Sequence, residues 1–136
     1  MRTTAIERVA AVFLALEAIG VVALTAWELV ALLRGDTAAV SSSIALLVLT
    51  LVVAAALAAF AVAVWRGGSW GRSGGIVAQL LILAIAGGTL TGPDAAPATA
   101  AAIAAPGVLG FVLLVAASRA AGPRTQRERA EDVGDA

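Results

Sequence analysis

Few side chains in this chain can do chemistry. Cys, His, Lys, Tyr and Asn are absent, which leaves carboxylates, arginines, hydroxyls and two glutamines, Gln79 and Gln126. Without His there is no imidazole base and no common zinc site. Without thiols there is no disulfide, and without Lys no Schiff base. Ser41, Ser42 and Ser43 have no base to activate them and read as a helix N-cap. These absences point to a non-enzymatic protein with no metal and no cofactor.

Two polar residues stand inside apolar stretches. Glu17 lies about 13 Å beyond Arg8 along a helix of about 1.5 Å per residue. A carboxylate at that depth in a bilayer costs roughly 2.5–3.5 kcal/mol on insertion scales, so it must face protein or water. Glu28 follows about three helical turns later, on the same face. Gln79 lies about 9 Å into a later apolar stretch, and Arg72 precedes it by about two turns. Arg72 either snorkels at the inner interface or caps the acid, and carboxyl, carboxamide and guanidinium form a chemically coherent set. Glu17, Gln79, Arg72 and Glu28 are therefore the intramembrane polar candidates. They act either as a proton or cation site or as hydrogen-bonded fasteners between helices.

The elements that position them follow from composition. The chain has 136 residues, 61% hydrophobic and 13% charged, with mean hydropathy +1.00. Soluble domains run at about 45–50% apolar and about 25% charged, so this is a membrane composition. Four apolar segments, about 9–33, 41–65, 74–90 and 98–117, each match the length that spans a hydrocarbon core of about 30 Å as a helix. Period-two alternation is missing, which excludes a barrel. Glycine and proline mark the breaks: Arg34-Gly35-Asp36-Thr37, Arg66 to Ser73, and Thr91 to Pro97. Connections this short make neighbouring helices antiparallel. The expected fold is all-α, an integral membrane four-helix bundle. Residues 119–136, with Gly122-Pro123 as a stop, read as a flexible cytoplasmic tail.

Charge sets the orientation. With four spans, both termini and the second connection share a side. That side carries Arg2, Arg8, Arg66, Arg72, Arg119, Arg124, Arg127 and Arg129, leaving only Arg34 of the nine arginines opposite. Positively charged loops stay in the cytoplasm, so both termini are expected there. Trp27, Trp65 and Trp70 fall near the ends of spans and read as interface anchors. The tail arginines are nearly cancelled by Glu128, Glu131, Asp132 and Asp135, which argues against a nucleic-acid partner.

Small residues give close-packing surfaces: Ala54, Ala55, Ala58 and Ala59 in the second span, and Ala84, Gly87 and Gly88 in the third. Pro106-Gly107 lies midway along the fourth, where a proline frees a carbonyl near Ala102.

Two resemblances accompany this reading. Trp70-Gly71-Arg72, then Gln79-Leu80-Leu81 in the third span, after an acid in the first, resembles a family of uncharacterised small four-span integral membrane proteins of actinobacteria. In that family a Trp-x-Arg and a Gln-Leu recur at those places, and the chain to about Arg119 fits the layout. The resemblance implies a four-span architecture and no activity. Glu17-Ala18-Ile19-Gly20 is similar to the Glu-x-Ile-Gly of small multidrug resistance transporters, which also have four spans. There the acid binds proton and cationic drug in turn, a role the resemblance would carry to Glu17. The chain departs from that family in a third span without aromatics and in an arginine bias that opposes dual-topology insertion.

The expectation is a small protein of the cell (inner) membrane that works by helix–helix association. Its partners would be membrane lipids and either further copies, as a homo-oligomer, or the membrane complex of which it is an accessory subunit. The alternative is a small proton-coupled transporter or channel using Glu17, which would need an aqueous cavity reaching that residue.

Overall fold

The computed structural model describes the backbone of residues 3–35, 39–91 and 95–134, and side chains in those ranges as far as residue 123. Among the described residues there are four helices and no strand: α1 (Ala5–Leu33), α2 (Val40–Trp65), α3 (Ser69–Gly88) and α4 (Pro97–Gly134). All four are long and apolar enough to cross a membrane, α4 over Pro97–Pro123. Consecutive helices pack on one another, and α4 returns to α1 to close a four-membered ring.

Local sequence explains where each helix starts and stops. Thr4 caps α1: its side chain accepts from the Glu7 N–H, and the Glu7 carboxylate reaches back to the Thr4 N–H. This reciprocal pairing satisfies two backbone donors that a helix start otherwise leaves open. α1 and α2 both end at glycines in the left-handed region, Gly35 (φ 75°) and Gly67 (φ 78°). The Gly67 N–H donates to Val64 O at 2.9 Å and the Gly68 N–H to Ala63 O at 2.8 Å. Those two bonds form the double C-terminal closure that a left-handed glycine permits. Gly68 then caps α3, so the second connection is a tight helical hairpin. α4 opens on Pro97, whose missing N–H costs nothing at a first helical position. The α3–α4 connection is tied by the Ala96 N–H donating to Thr89 O at 3.1 Å.

Three boundaries differ from the sequence reading. α3 starts at Ser69, not near Gly74, so Trp70 and Arg72 belong to its first turn. The polar character of Ser69 to Ser73 hides a helix start that the Gly67-Gly68 closure fixes. Ser41, Ser42 and Ser43 lie inside α2 rather than capping it: the N-cap is Ala39, and Ser43 Oγ donates back to Ala39 O. α4 continues through Gly122-Pro123 to Gly134 instead of ending near Ala117. A proline removes one helical hydrogen bond, and the Ala, Arg, Gln and Glu around it are strong helix formers. The helix likewise runs unbroken through Pro106.

The core sits toward the end that holds the N-terminus of α1. Leu14, Leu57 and Leu114 are its largest fully buried apolar side chains, with Ala10, Ala11, Ala18, Ala61, Val64 and Ala117 around them. Inside a bilayer the apolar exterior is no penalty, so contact between helices comes from close packing and polar fasteners. Glycines supply the close packing. A Cβ on Gly71 would stand 2.5 Å from Ala63 Cβ and 2.8 Å from the Val64 N, so α2 and α3 touch there at backbone distance. A Cβ on Gly75 would meet Leu114 at 2.9 Å. By contrast Gly87 and Gly88, expected as packing residues, have nothing within 4 Å.

Candidate functional site

Glu17 and Gln79 meet. Gln79 Nε2 donates to Glu17 Oε2 at 2.6 Å, joining α1 to α3 across the ring. Gln79 is wholly buried and Glu17 is partly buried. α4 closes the third side: a Cβ on Gly110 would lie 2.6 Å from Gln79 Cδ and 2.8 Å from both its Nε2 and its Oε1. Glycine at 110 therefore leaves room for the carboxamide between α3 and α4. One oxygen of each group, Glu17 Oε1 and Gln79 Oε1, is buried with no hydrogen-bond donor.

Arg72 does not join that pair. Its Nη1 donates to Glu7 Oε1 at 3.1 Å, an ion pair between the first turns of α1 and α3. The same nitrogen donates to Gly67 O at 3.1 Å, which ties the guanidinium to the α2–α3 closure. Glu7 is only 1% exposed and Arg72 8%. The other Glu7 oxygen, Oε2, accepts from the Thr4 N–H at 2.7 Å and from Thr4 Oγ1 at 2.9 Å. Of the two roles open to Arg72, capping Glu17 is not seen: Arg72 lies about two turns before Gln79, level with the first turn of α1 rather than with Glu17. Sequence reasoning missed Glu7, although Thr4-x-x-Glu7 ahead of an apolar run is a capping-box signature.

Glu28 belongs to neither pair. Thr50 Oγ1 donates to Glu28 Oε2 at 3.1 Å, so this acid faces α2 near the opposite end. Glu17 and Glu28, expected on one face of α1, therefore address different neighbours, α3 and α2.

The tryptophans are all exposed. Trp27, 78% exposed, lies in the last turns of α1, while Trp65 and Trp70 lie at the other end of the bundle. The Arg8 guanidinium sits 5.9 Å from the Trp65 ring centroid. Trp70 packs edge-on against Phe60, with centroids 5.9 Å apart. Asp36, Asp94 and the tail side chains from Arg124 onward lie outside the described residues.

Long grooves run along the outside of the bundle. One, about 870 Å³, lies between α2 and α3 and is lined by Leu49, Val53, Phe60, Gly74, Ala78 and Ala84 among others. A second, about 500 Å³, lies between α1 and α2 and is floored by Ala18, Ala54, Ala58 and Ala61. Both are lined almost wholly by apolar residues, and neither includes Glu17, Gln79 or Glu28.

Four helices long and apolar enough to span a membrane make this chain a small multi-pass integral membrane protein. No protein-family model, curated protein or solved structure matches it. Its function is therefore read from geometry alone.

Proposed function

We propose that this protein acts by helix–helix association in the membrane, as a homo-oligomer or as an accessory subunit of a larger complex, and not by catalysis. The observation that carries this is the α2–α3 groove. Its lining alternates small residues, Ala56, Ala78 and Ala84, with large ones, Leu49, Phe60 and Ile85. A surface of small residues lets another helix approach closely, which is how helices associate where lipid already satisfies apolar side chains. The polar pairs support the same reading: Glu7–Arg72, Glu17–Gln79 and Glu28–Thr50 each fasten one helix of the bundle to another. A carrier built on Glu17 requires a polar cavity at that residue, whereas the described grooves are apolar and lie elsewhere.

Filling the groove tests this. Ala84 is exposed and lines the groove, so Ala84→Phe obstructs a docking helix without touching the core. In mild detergent the wild type is expected as a particle heavier than one chain, either by self-association or with a co-purifying membrane protein. Ala84→Phe is expected to release the single chain at unchanged thermal stability. A wild-type particle of one chain and nothing else would remove the reading.

The same reading places both termini and the α2–α3 connection in the cytoplasm of a cell with an inner membrane. The arginines at that end, among them Arg8, Arg66, Arg72 and Arg119, carry the argument. Reporter fusions at both termini and at Gly68 are expected to report cytoplasm, and those at Gly35 and Thr91 the opposite side. A C-terminal reporter outside would reverse the layout.

A further inference from the structure

The Glu17–Gln79 contact leaves a hydrogen-bonding account that does not close. A carboxamide carries two N–H donors and one acceptor oxygen, and an ionised carboxylate carries acceptors only. One amide N–H is used on Glu17 Oε2. The two oxygens left over, Glu17 Oε1 and Gln79 Oε1, belong to groups already in contact, and both are buried with no donor. With Glu17 ionised, both are acceptors, and neither can satisfy the other. Buried polar atoms in native structures are otherwise nearly always satisfied, because an unmet one carries its full desolvation cost.

Nor is there a cation to balance a charge on Glu17. α2 contains no ionisable side chain, and α4 has none between Pro97 and Ser118. α3 offers only Arg72, which is held by Glu7 Oε1 and Gly67 O. On α1, Arg8 lies over Trp65 and donates to Thr3, while Glu28 accepts from Thr50. Arg34 and Arg66 stand at the ends of α1 and α2, and Arg119 lies about 13 Å along α4 from Gly110 at about 1.5 Å per residue, so the described cations lie at other levels of the bundle.

We propose that Glu17 and Gln79 form a proton-binding site, with a proton resident on Glu17 Oε1 and donated to Gln79 Oε1. One proton turns an orphan acceptor into the donor the other orphan lacks. The product is a two-bond ring: amide N–H to acid C=O, and acid O–H to amide C=O. It is electrically neutral, which suits a site with no cation in reach. Gly110 adds the shape, since only a residue without a Cβ leaves the carboxamide space beside α4. The site fastens α1, α3 and α4 at one point through a group that titrates. This goes beyond association and does not depend on it.

Infrared spectra of the full chain in lipid bilayers at neutral pH test the site. Glu17→Gln keeps both hydrogen bonds, with the new amide N–H replacing the acid O–H, so it is expected to fold as the wild type does. The wild type is expected to show a protonated-carboxyl C=O band that is lost in Glu17→Gln and moves to higher frequency in Gln79→Leu, where the acid has lost its partner. Thermal stability of the wild type is expected to be full at acid pH and to fall as pH rises and the proton leaves, while Glu17→Gln stays flat. A wild type with no protonated-carboxyl band, or a band that survives Glu17→Gln, overturns the site. A band unmoved in Gln79→Leu overturns the sharing with Gln79. Should Gln79→Leu fail to fold, the first two spectra decide whether the proton sits on Glu17.

Discussion

Replacing Arg72 with Met is expected to cost about 3 kcal/mol of unfolding free energy, the lower end of what breaking a buried ion pair costs. The guanidinium makes two bonds that no thioether can replace, to Glu7 Oε1 and to Gly67 O. Both acceptors are structural. Glu7 is the capping carboxylate of α1, and Gly67 is the left-handed residue that closes α2. One side chain therefore holds three helices at the same end of the bundle. The loss stays near the lower bound because Glu7 keeps its bonds from Thr4. Arg72→Lys is expected to fall between, since an ammonium gives a point charge but no planar fork to address two acceptors. The double substitution Glu7→Gln with Arg72→Met should recover part of the loss, because it removes the charge that the guanidinium answers. Reversible unfolding in mixed micelles measures these chains together with the Glu7→Gln single that completes the cycle. Additive single effects, with no coupling between positions 7 and 72, would show that the 3.1 Å contact carries no stability.

That pair also marks the limit of what the amino-acid order reveals. Span number, approximate span length and the antiparallel ring follow from apolar runs separated by glycine and proline. The meeting of Glu17 with Gln79 follows from depth: both lie in what the arginine bias reads as the inner half, on helices that run in the same direction. Depth puts Arg72 about two turns below Gln79, and the sequence leaves snorkelling and capping of the acid both open. The hydropathy boundary near Gly74 hides that Arg72 lies in the first turn of α3. The closure around Gly67-Gly68 starts the helix at Ser69 and sets Arg72 beside Glu7. The Thr4–Glu7 signature would have flagged Glu7 as an ordered carboxylate at the first turn, but the apolar run after it drew attention to Glu17. Glu28 shows a further limit. Helical periodicity correctly puts it on the Glu17 face of α1, yet which neighbour covers that face changes along the bundle, so the partner is Thr50. Glycine roles were the least legible. Gly87-Gly88 has a packing pattern in sequence and open space in the structure, whereas Gly71 and Gly110 make the close approaches.

Gly110→Ala is expected to cost about 2–3 kcal/mol, within the range for overpacking a tight contact. The new methyl would fall 2.6 Å from Gln79 Cδ, closer than a carbon pair tolerates, and the carboxamide is wholly buried. Gln79 is also tethered at its far end by the 2.6 Å bond to Glu17, so it cannot swing aside without breaking it. α4 must then move away from α3, or the Glu17–Gln79 pair must open. Two other glycines calibrate the result. Gly107 faces side chains that can adjust, Ile82 at 3.1 Å and Leu83 at 3.2 Å, so Gly107→Ala is expected to cost less, about 1 kcal/mol. Gly87 faces nothing within 4 Å, and there alanine is expected to stabilise by up to about 1 kcal/mol through helix propensity. The order Gly110, Gly107, Gly87 is thus set by what each methyl meets, not by proximity to Gly-rich sequence. Opening of the pair has its own signature: the carboxyl band of Glu17 in Gly110→Ala should move as it does in Gln79→Leu. A Gly110→Ala chain as stable as the wild type, with an unmoved band, would mean that α4 does not press on Gln79 and that the three-helix junction is not built as described.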